Sequence, residues 1–225
     1  MNEDIIELRN IDPEDISDAL VKIEKSFNFK FDKDELKDVK TFGELCDIIT
    51  KKINVEDLQD CTTQQAFYKL RNAIAINQCL DKNNITPYTD LKMLFPKNER
   101  RKKISSIEND LGFKIKILRA KHWLANSLIV IFLISFLTLF FYWQAGLVGL
   151  FFSIIGFIIA DRFGNEFDLE NVGEIAKKNS RENYLKTRRN PATVNKNEIR
   201  KKVKELFSND LNLEESVLTE DATFG

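Results

Sequence analysis

WLANSLIVIFLISFLTLFFYWQAGLVGLFFSIIGFIIA (123–160) runs 38 residues without one charged side chain, and Gln144-Ala145-Gly146 interrupts it near the middle. A helix needs roughly 20 apolar residues to cross a bilayer core, so the stretch has the length of two spans. In lipid, backbone amides must be satisfied within the segment, which leaves helices as the form for so short a run. The stretch is therefore read as a transmembrane helical hairpin over 122–160, with spans at 123–143 and 145–160. The second span is short for a full crossing, so it borrows Gln144 or tilts little. Because the chain crosses and returns, the soluble segments before and after the hairpin share one side of the membrane.

Charge gives the side. Residues 1–60 hold 17 acids and 9 bases, residues 61–122 hold 5 acids and 13 bases, and residues 161–225 are near balance with 13 acids and 12 bases. The basic segment leads into the hairpin, Arg162 follows its exit, and the turn between the spans carries no charge. Lys and Arg are retained on the cytoplasmic face, so the chain is expected to be integral to the inner cell membrane with both termini cytoplasmic. Trp123 sits at one interface, Tyr142 and Trp143 at the other. The first ten residues are acidic, which does not fit a signal peptide. Arg100, Arg101, Lys102, Lys103, Arg119 and Lys121 are candidate contacts for anionic lipid headgroups, at about 1 kcal/mol per nearby cation. Their position beside the membrane and the lack of interleaved aromatics argue against nucleic acid. Cys46, Cys61 and Cys79 have no metal-type spacing and are read as reduced and mostly buried. His122 is the only histidine and reads as an interfacial anchor.

Outside the hairpin the periodicity is helical. Ile16, Leu20, Ile23 and Phe27 form one stripe over 14–26. A short segment, Asp32 to Val39, follows. Thr41 with Glu44 is a capping box that starts a helix, and Asn171 with Glu174 is a second. Ala66, Leu70, Ala73 and Ile74 make another stripe, followed by a long loop over 80–96 and a basic helix over 97–111 that ends at Gly112. Residues 180–195 are polar and read as a linker, and Ile199, Val203, Leu206 and Phe207 mark an amphipathic helix over 196–208. Four prolines and few alternating β-branched runs argue against a sheet.

The soluble part also repeats itself. IEKSFNFKF (23–31) echoes IENDLGFKI (107–115), and TFGEL (41–45) echoes NVGEI (171–175). The apolar positions from Ala66 to Ile85 recur from Ile199 to Leu218 at a constant offset of 133, and ITPYTDL (85–91) lies on LTEDATF (218–224). The chain thus holds two copies of one helical unit. The first runs 62–121 and resumes at 161–180 with the hairpin (122–160) inserted. The second is split: its first helix and loop are 196–225, its remaining helices are in 1–55, and 181–195 is the linker.

Each unit resembles an acyl carrier protein. EIRKKVKELFSNDLNLEESVLTEDATFG (198–225) is similar to that family's first helix and loop, and ALVKIEKSFNFKFDKDELKDVKTFGELCDII (19–49) to its second to fourth helices. The resemblance implies an all-α fold of two small carrier-like bundles plus the hairpin. It also implies a phosphopantetheine arm on a serine that opens the second helix. The family's spacing places that serine at Pro13 in one unit and Lys97 in the other, and neither can carry the arm. Ser17 is a weak cofactor-binding candidate, one helical turn too deep. No cofactor, metal or catalytic residue is therefore expected.

The function expected is a non-enzymatic, membrane-anchored scaffold or docking module facing the cytoplasm. Its acidic helix, with Asp15, Asp18 and Glu24, is the natural docking face for an unidentified cytoplasmic protein. Enzymes of acyl metabolism are the class the resemblance implies. Alternatives are a tethered carrier modified on Ser17 and, last, a membrane enzyme, for which the spans offer only Asn126, Ser127, Ser135, Thr138 and Ser153. Closure of the split unit within one chain competes with a helix swap that would give a homo-oligomer.

Overall fold

Asp12-Pro13 sets the first helix. The Asp12 carboxylate accepts from the Glu14 amide at 2.9 Å, and Pro13 occupies the first helical position, where its missing N–H costs nothing. The computed structural model describes residues 8, 11–53 and 55–224. Helix α1 (Pro13–Phe27) ends at Asn28 in the left-handed region, and α2 (Phe42–Lys52) opens on the Thr41–Glu44 capping box. There follow β1 (Glu56–Asp57), α3 (Thr62–Gln78), α4 (Leu91–Leu94), α5 (Arg100–Leu111), β2 (Leu118–Arg119), α6 (His122–Thr138), α7 (Trp143–Arg162), β3 (Glu166–Phe167), α8 (Val172–Glu182), α9 (Tyr184–Thr187), β4 (Thr193–Val194) and α10 (Lys196–Asp210). The chain is mostly helical, as its periodicity predicts. Two small ladders are added to that expectation: β1 pairs parallel with β4, and β2 pairs antiparallel with β3. The loop over 80–96 also holds α4 and a 3₁₀ turn at Lys82–Asn84.

Two apolar cores form. One gathers Leu70, Ile74, Ile85, Leu91, Ile107 and Ile175, so α3, α5 and α8 meet around it. The other gathers Ile23, Phe27, Leu45 and Ile49 with Ile199, Val203, Leu206 and Phe207, joining α1 and α2 to α10 and the segment after it. The repeat extends to individual hydrogen bonds. Phe42 and Gly43 amides donate to Ala222 and Glu220 carbonyls at 2.8 and 2.9 Å, while Val172 and Gly173 donate to Thr89 and Pro87 at 3.1 and 2.8 Å. The paired bridges Thr41–Thr223 and Asp90–Asn171 obey the same correspondence. So do the left-handed residues Asn28 and Gly112, and Cys79 and Asn212.

The repeated contact explains a repeated glycine. A Cβ on Gly43 would lie 2.8 Å from the Glu220 carbonyl oxygen, and one on Gly173 3.0 Å from that of Pro87. Both obstacles are backbone and cannot swing aside. Gly43→Ala is expected to destabilise by about 1–3 kcal/mol, the range for forcing atoms into packed space, and Gly173→Ala by less. Denaturant midpoints of the two variants check the order, and an unchanged Gly43→Ala midpoint would contradict the contact.

The segment read as a linker is packed instead. Tyr184 is fully buried against the ring of Phe27, with centroids 4.8 Å apart. Its amide donates to Ser26 Oγ at 3.0 Å, and that hydroxyl donates to the Arg181 carbonyl at 2.6 Å. Arg188 is also fully buried: Nη1 donates to Thr62 Oγ1 at 2.7 Å, Nε to Thr193 Oγ1 at 3.2 Å, and Nη2 to the Leu58 carbonyl at 3.3 Å and to the Asp60 carboxylate. One guanidinium thereby ties the connection after α2, the start of α3 and the β4 region together.

Helices α6 and α7 pack side by side and antiparallel, Gly149 facing Ser135 and Gly156 facing Leu128. The helix break lies at Leu139–Tyr142, not at Gln144–Gly146, which form the first turn of α7. The reason is steric: Gly146 sits directly against Leu139, so glycine serves the helix contact after the turn and not the turn itself. Among the described residues only α7, with 20 residues, is long and apolar enough to cross a membrane, while the apolar α6 has 17.

Candidate functional site

The positions that the carrier resemblance marks lie at or just before helix starts. Pro13 opens α1, and Lys97 lies in the turn before α5, its ammonium 2.9 Å from Glu166. That contact holds the Glu166 carboxyl below its ordinary range, the Lys97 hydrogen bond being the largest cause. Ser17 is exposed on α1. Its neighbours Ile16 and Leu20 point into an apolar pocket of about 410 Å³, shared with Leu36, Leu45 and Phe224.

Of the acidic docking set, Asp15 and Asp18 are exposed on α1. Glu24 is not available in the same way. Its carboxylate turns inward to accept from the Phe31 amide at 2.7 Å, with Lys30 3.8 Å away. Glu108 does the same in the other unit, accepting from Ile115 at 2.9 Å beside Lys114 at 2.7 Å. Both carboxylates cap the chain after a helix and stabilise the fold, which removes Glu24 from the docking set.

The basic residues separate likewise. Arg100 is buried: it lies 4.1 Å from the Phe167 ring centroid, donates to the Phe95 carbonyl at 3.0 Å and to that of Asn165, and has Glu166 at 3.9 Å. Burial pushes its pKa down, partly opposed by Glu166. It belongs to the packing beneath α6 and α7, and its burial does not fit the headgroup contact expected of it. Lys103 is turned to Glu99 at 3.2 Å and Gln78 at 2.9 Å. Arg101, Lys102, Arg119 and Lys121 are exposed. Arg101 donates to the Arg162 carbonyl at 2.8 Å and lies over the Phe163 ring at 5.0 Å, and Arg119 pairs with Asp168 at 2.9 Å. The structure thus gathers Arg101, Arg119, Lys121 and Arg162 at the foot of the apolar helices, where α7 and β2 pack together.

Only one of the three cysteines is buried, against the expectation that most would be; Cys61 and Cys79 flank α3 and are exposed. Burial pushes the Cys46 thiol up to about 12, so it is unreactive at neutral pH. Arg188 gave no signal in the sequence, because it lies in a polar run. The buried pair Lys202–Glu205 was equally silent, since each residue looks like one more charge on an amphipathic helix.

Comparison with protein-family models, curated proteins and solved structures finds no match to the chain.

Proposed function

We propose that the chain is a membrane-anchored, non-enzymatic docking module of two acyl-carrier-like units, held to the cytoplasmic face by α6 and α7 as a two-span hairpin. The carrying observation is the apolar surface of those two helices. Phe140 and Phe141 at the turn are 75% and 82% exposed, and Phe151, Ile158 and Leu137 are each more than 60% exposed. A surface that apolar and continuous calls for lipid or a protein partner. Its foot carries exposed cations and its tip none, the polarity expected of a hairpin entered from the cytoplasm. At 1.5 Å per residue α6 reaches about 26 Å, and the apolar turn extends it toward the roughly 30 Å of a bilayer core. The matched hydrogen bonds of the two units support the internal repeat on which the carrier reading is built. Support for a non-enzymatic role comes from Pro13 and Lys97 at the positions where an attachment serine would stand. Asp15 and Asp18 on α1 are the face offered to a cytoplasmic partner.

With the exposed Cys61 and Cys79 changed to Ser, a cysteine at Phe141 is expected to react with an impermeant thiol reagent only from outside the cell, and one at Ser17 only from inside. Reaction of both from the same side would sink the two-span reading. A second reading, a tethered carrier modified on Ser17, is favoured by the apolar pocket beside that serine. Co-expression with a phosphopantetheinyl transferase separates the two: the docking reading expects an unchanged intact mass, and a gain of roughly 340 Da that is lost in Ser17→Ala would replace it with the carrier.

A further inference from the structure

We propose that the groove between α3 and α10 binds an organic phosphate, a small molecule with a flat or apolar body and a phosphate group. The groove lies where the two units meet and encloses about 840 Å³, within the range of small-molecule sites. This inference goes beyond the docking reading and is independent of what surrounds α6 and α7.

The charge of the groove comes from Arg71, Lys177, Lys201 and Lys202, and Glu205 is the one acid among its lining residues. Glu205 is already used. Lys202 Nζ bonds it at 2.9 Å and Thr63 Oγ1 at 3.1 Å, with both charged side chains only 5% exposed. Once that pair is neutralised, three cations face the groove without a carboxylate from its walls. A concave surface of one sign concentrates counter-ions of the other.

Arg71 gives the field a point of attachment. Its guanidinium lies 4.9 Å from the Tyr68 ring centroid and 5.6 Å from that of Phe67. Its Nε is shielded from solvent, and no acceptor for it exists among the described residues. Nε therefore stays inside the wall, and the outer Nη groups offer N–H donors whose spacing suits two oxygens of one oxyanion. The same rings that stack on Arg71 continue the groove as an apolar wall, with Ile85 and Pro87 beyond them. Tyr68 is 38% exposed and presents a face to a flat group. Cations beside an aromatic wall select a ligand that has both an anion and an apolar body. None of the residues lining the groove lines the two clefts at the foot of the hairpin, so a soluble ligand fits it better than a headgroup.

The test uses the full chain in nanodiscs of neutral phosphatidylcholine, titrated calorimetrically with phenyl phosphate, inorganic phosphate and phenol. Phenyl phosphate is expected to bind, about tenfold or more tightly than inorganic phosphate, and phenol not at all. Arg71→Gln is expected to weaken phenyl phosphate by about tenfold or more, the loss that follows from removing one charged hydrogen-bonding partner. Lys25→Gln, on α1 and not among the residues lining the groove, is expected to leave it unchanged. If Arg71→Gln loses its thermal transition, Lys201→Gln at an exposed position replaces it, with a several-fold loss expected. The proposal is overturned by no binding of phenyl phosphate at millimolar concentration, by equal binding of inorganic phosphate, or by unchanged affinity in the groove variant. Loss of phenyl phosphate binding in nanodiscs containing phosphatidylserine would also overturn it, by assigning the groove to a lipid headgroup.

Discussion

Arg188→Ala is expected to cost about 3–5 kcal/mol of stability, from several acceptors that lose a charged donor at about 1–3 kcal/mol each; Asp60, whose side chain is 33% exposed, is partly resolvated. The side chain is fully buried and donates to Thr62, Thr193, the Leu58 carbonyl and Asp60. Alanine would leave those acceptors facing one another across a cavity, with the Asp60 charge no longer balanced. Lysine would restore charge but not geometry, because a single ammonium cannot reach in the three directions that the planar guanidinium spans. Arg188→Lys is therefore expected to recover only part of the loss. Chemical denaturation in nanodiscs gives both numbers, and a change below about 0.5 kcal/mol for Arg188→Ala, the level of an ordinary surface substitution, would show that the clasp is not holding the segments together.

Phe207→Ala is the second large effect, about 3–5 kcal/mol by the usual cost of emptying a buried aromatic site. Phe207 is fully buried, edge-on to Phe42 at 5.5 Å and tilted against Phe224 at 6.3 Å. It lies on α10, yet the rings it supports come from opposite ends of the chain. Amide exchange should therefore quicken in α1 and α2 as much as in α10, while α3, α5 and α8, which pack around the other core, keep their protection. Exchange that quickens in α10 alone would mean that the N-terminal helices are stable without it.

The sequence was most informative where a side chain acts locally. The Thr41–Glu44 box starts α2, Gly112 ends α5, and the stripe Leu20, Ile23, Phe27 turns toward the core because period 3.6 requires it. It misled where a polar residue is buried by partners far away in the chain. Arg188 meets Thr62 from 126 positions away, and nothing in the run around it distinguishes an interior arginine from a solvated one. The same blindness assigned Arg100 to the lipid surface, although Phe95, Asn165 and Phe167 enclose it. Glu24 was misjudged because its partner is a backbone amide seven residues on, which carries no letter in the sequence. The groove was invisible for a further reason: its cations come from three helices whose proximity is a property of the fold alone.

The split core also fixes an order of events. α1 and α2 leave the ribosome before the helix that completes their core, α10, which ends at Asp210, and its partner segment continues to Phe224. At 5–20 residues per second the gap between Lys52 and Phe224 takes about 10–30 s to synthesise. During that interval the N-terminal helices hold open apolar stripes, while the α3–α5–α8 core and the α6–α7 pair can already form. Newly made chains thus pass through a state in which one of the two cores waits for the segment that completes it, and this is when a chaperone or a neighbouring nascent chain has access to Ile23, Phe27 and Leu45.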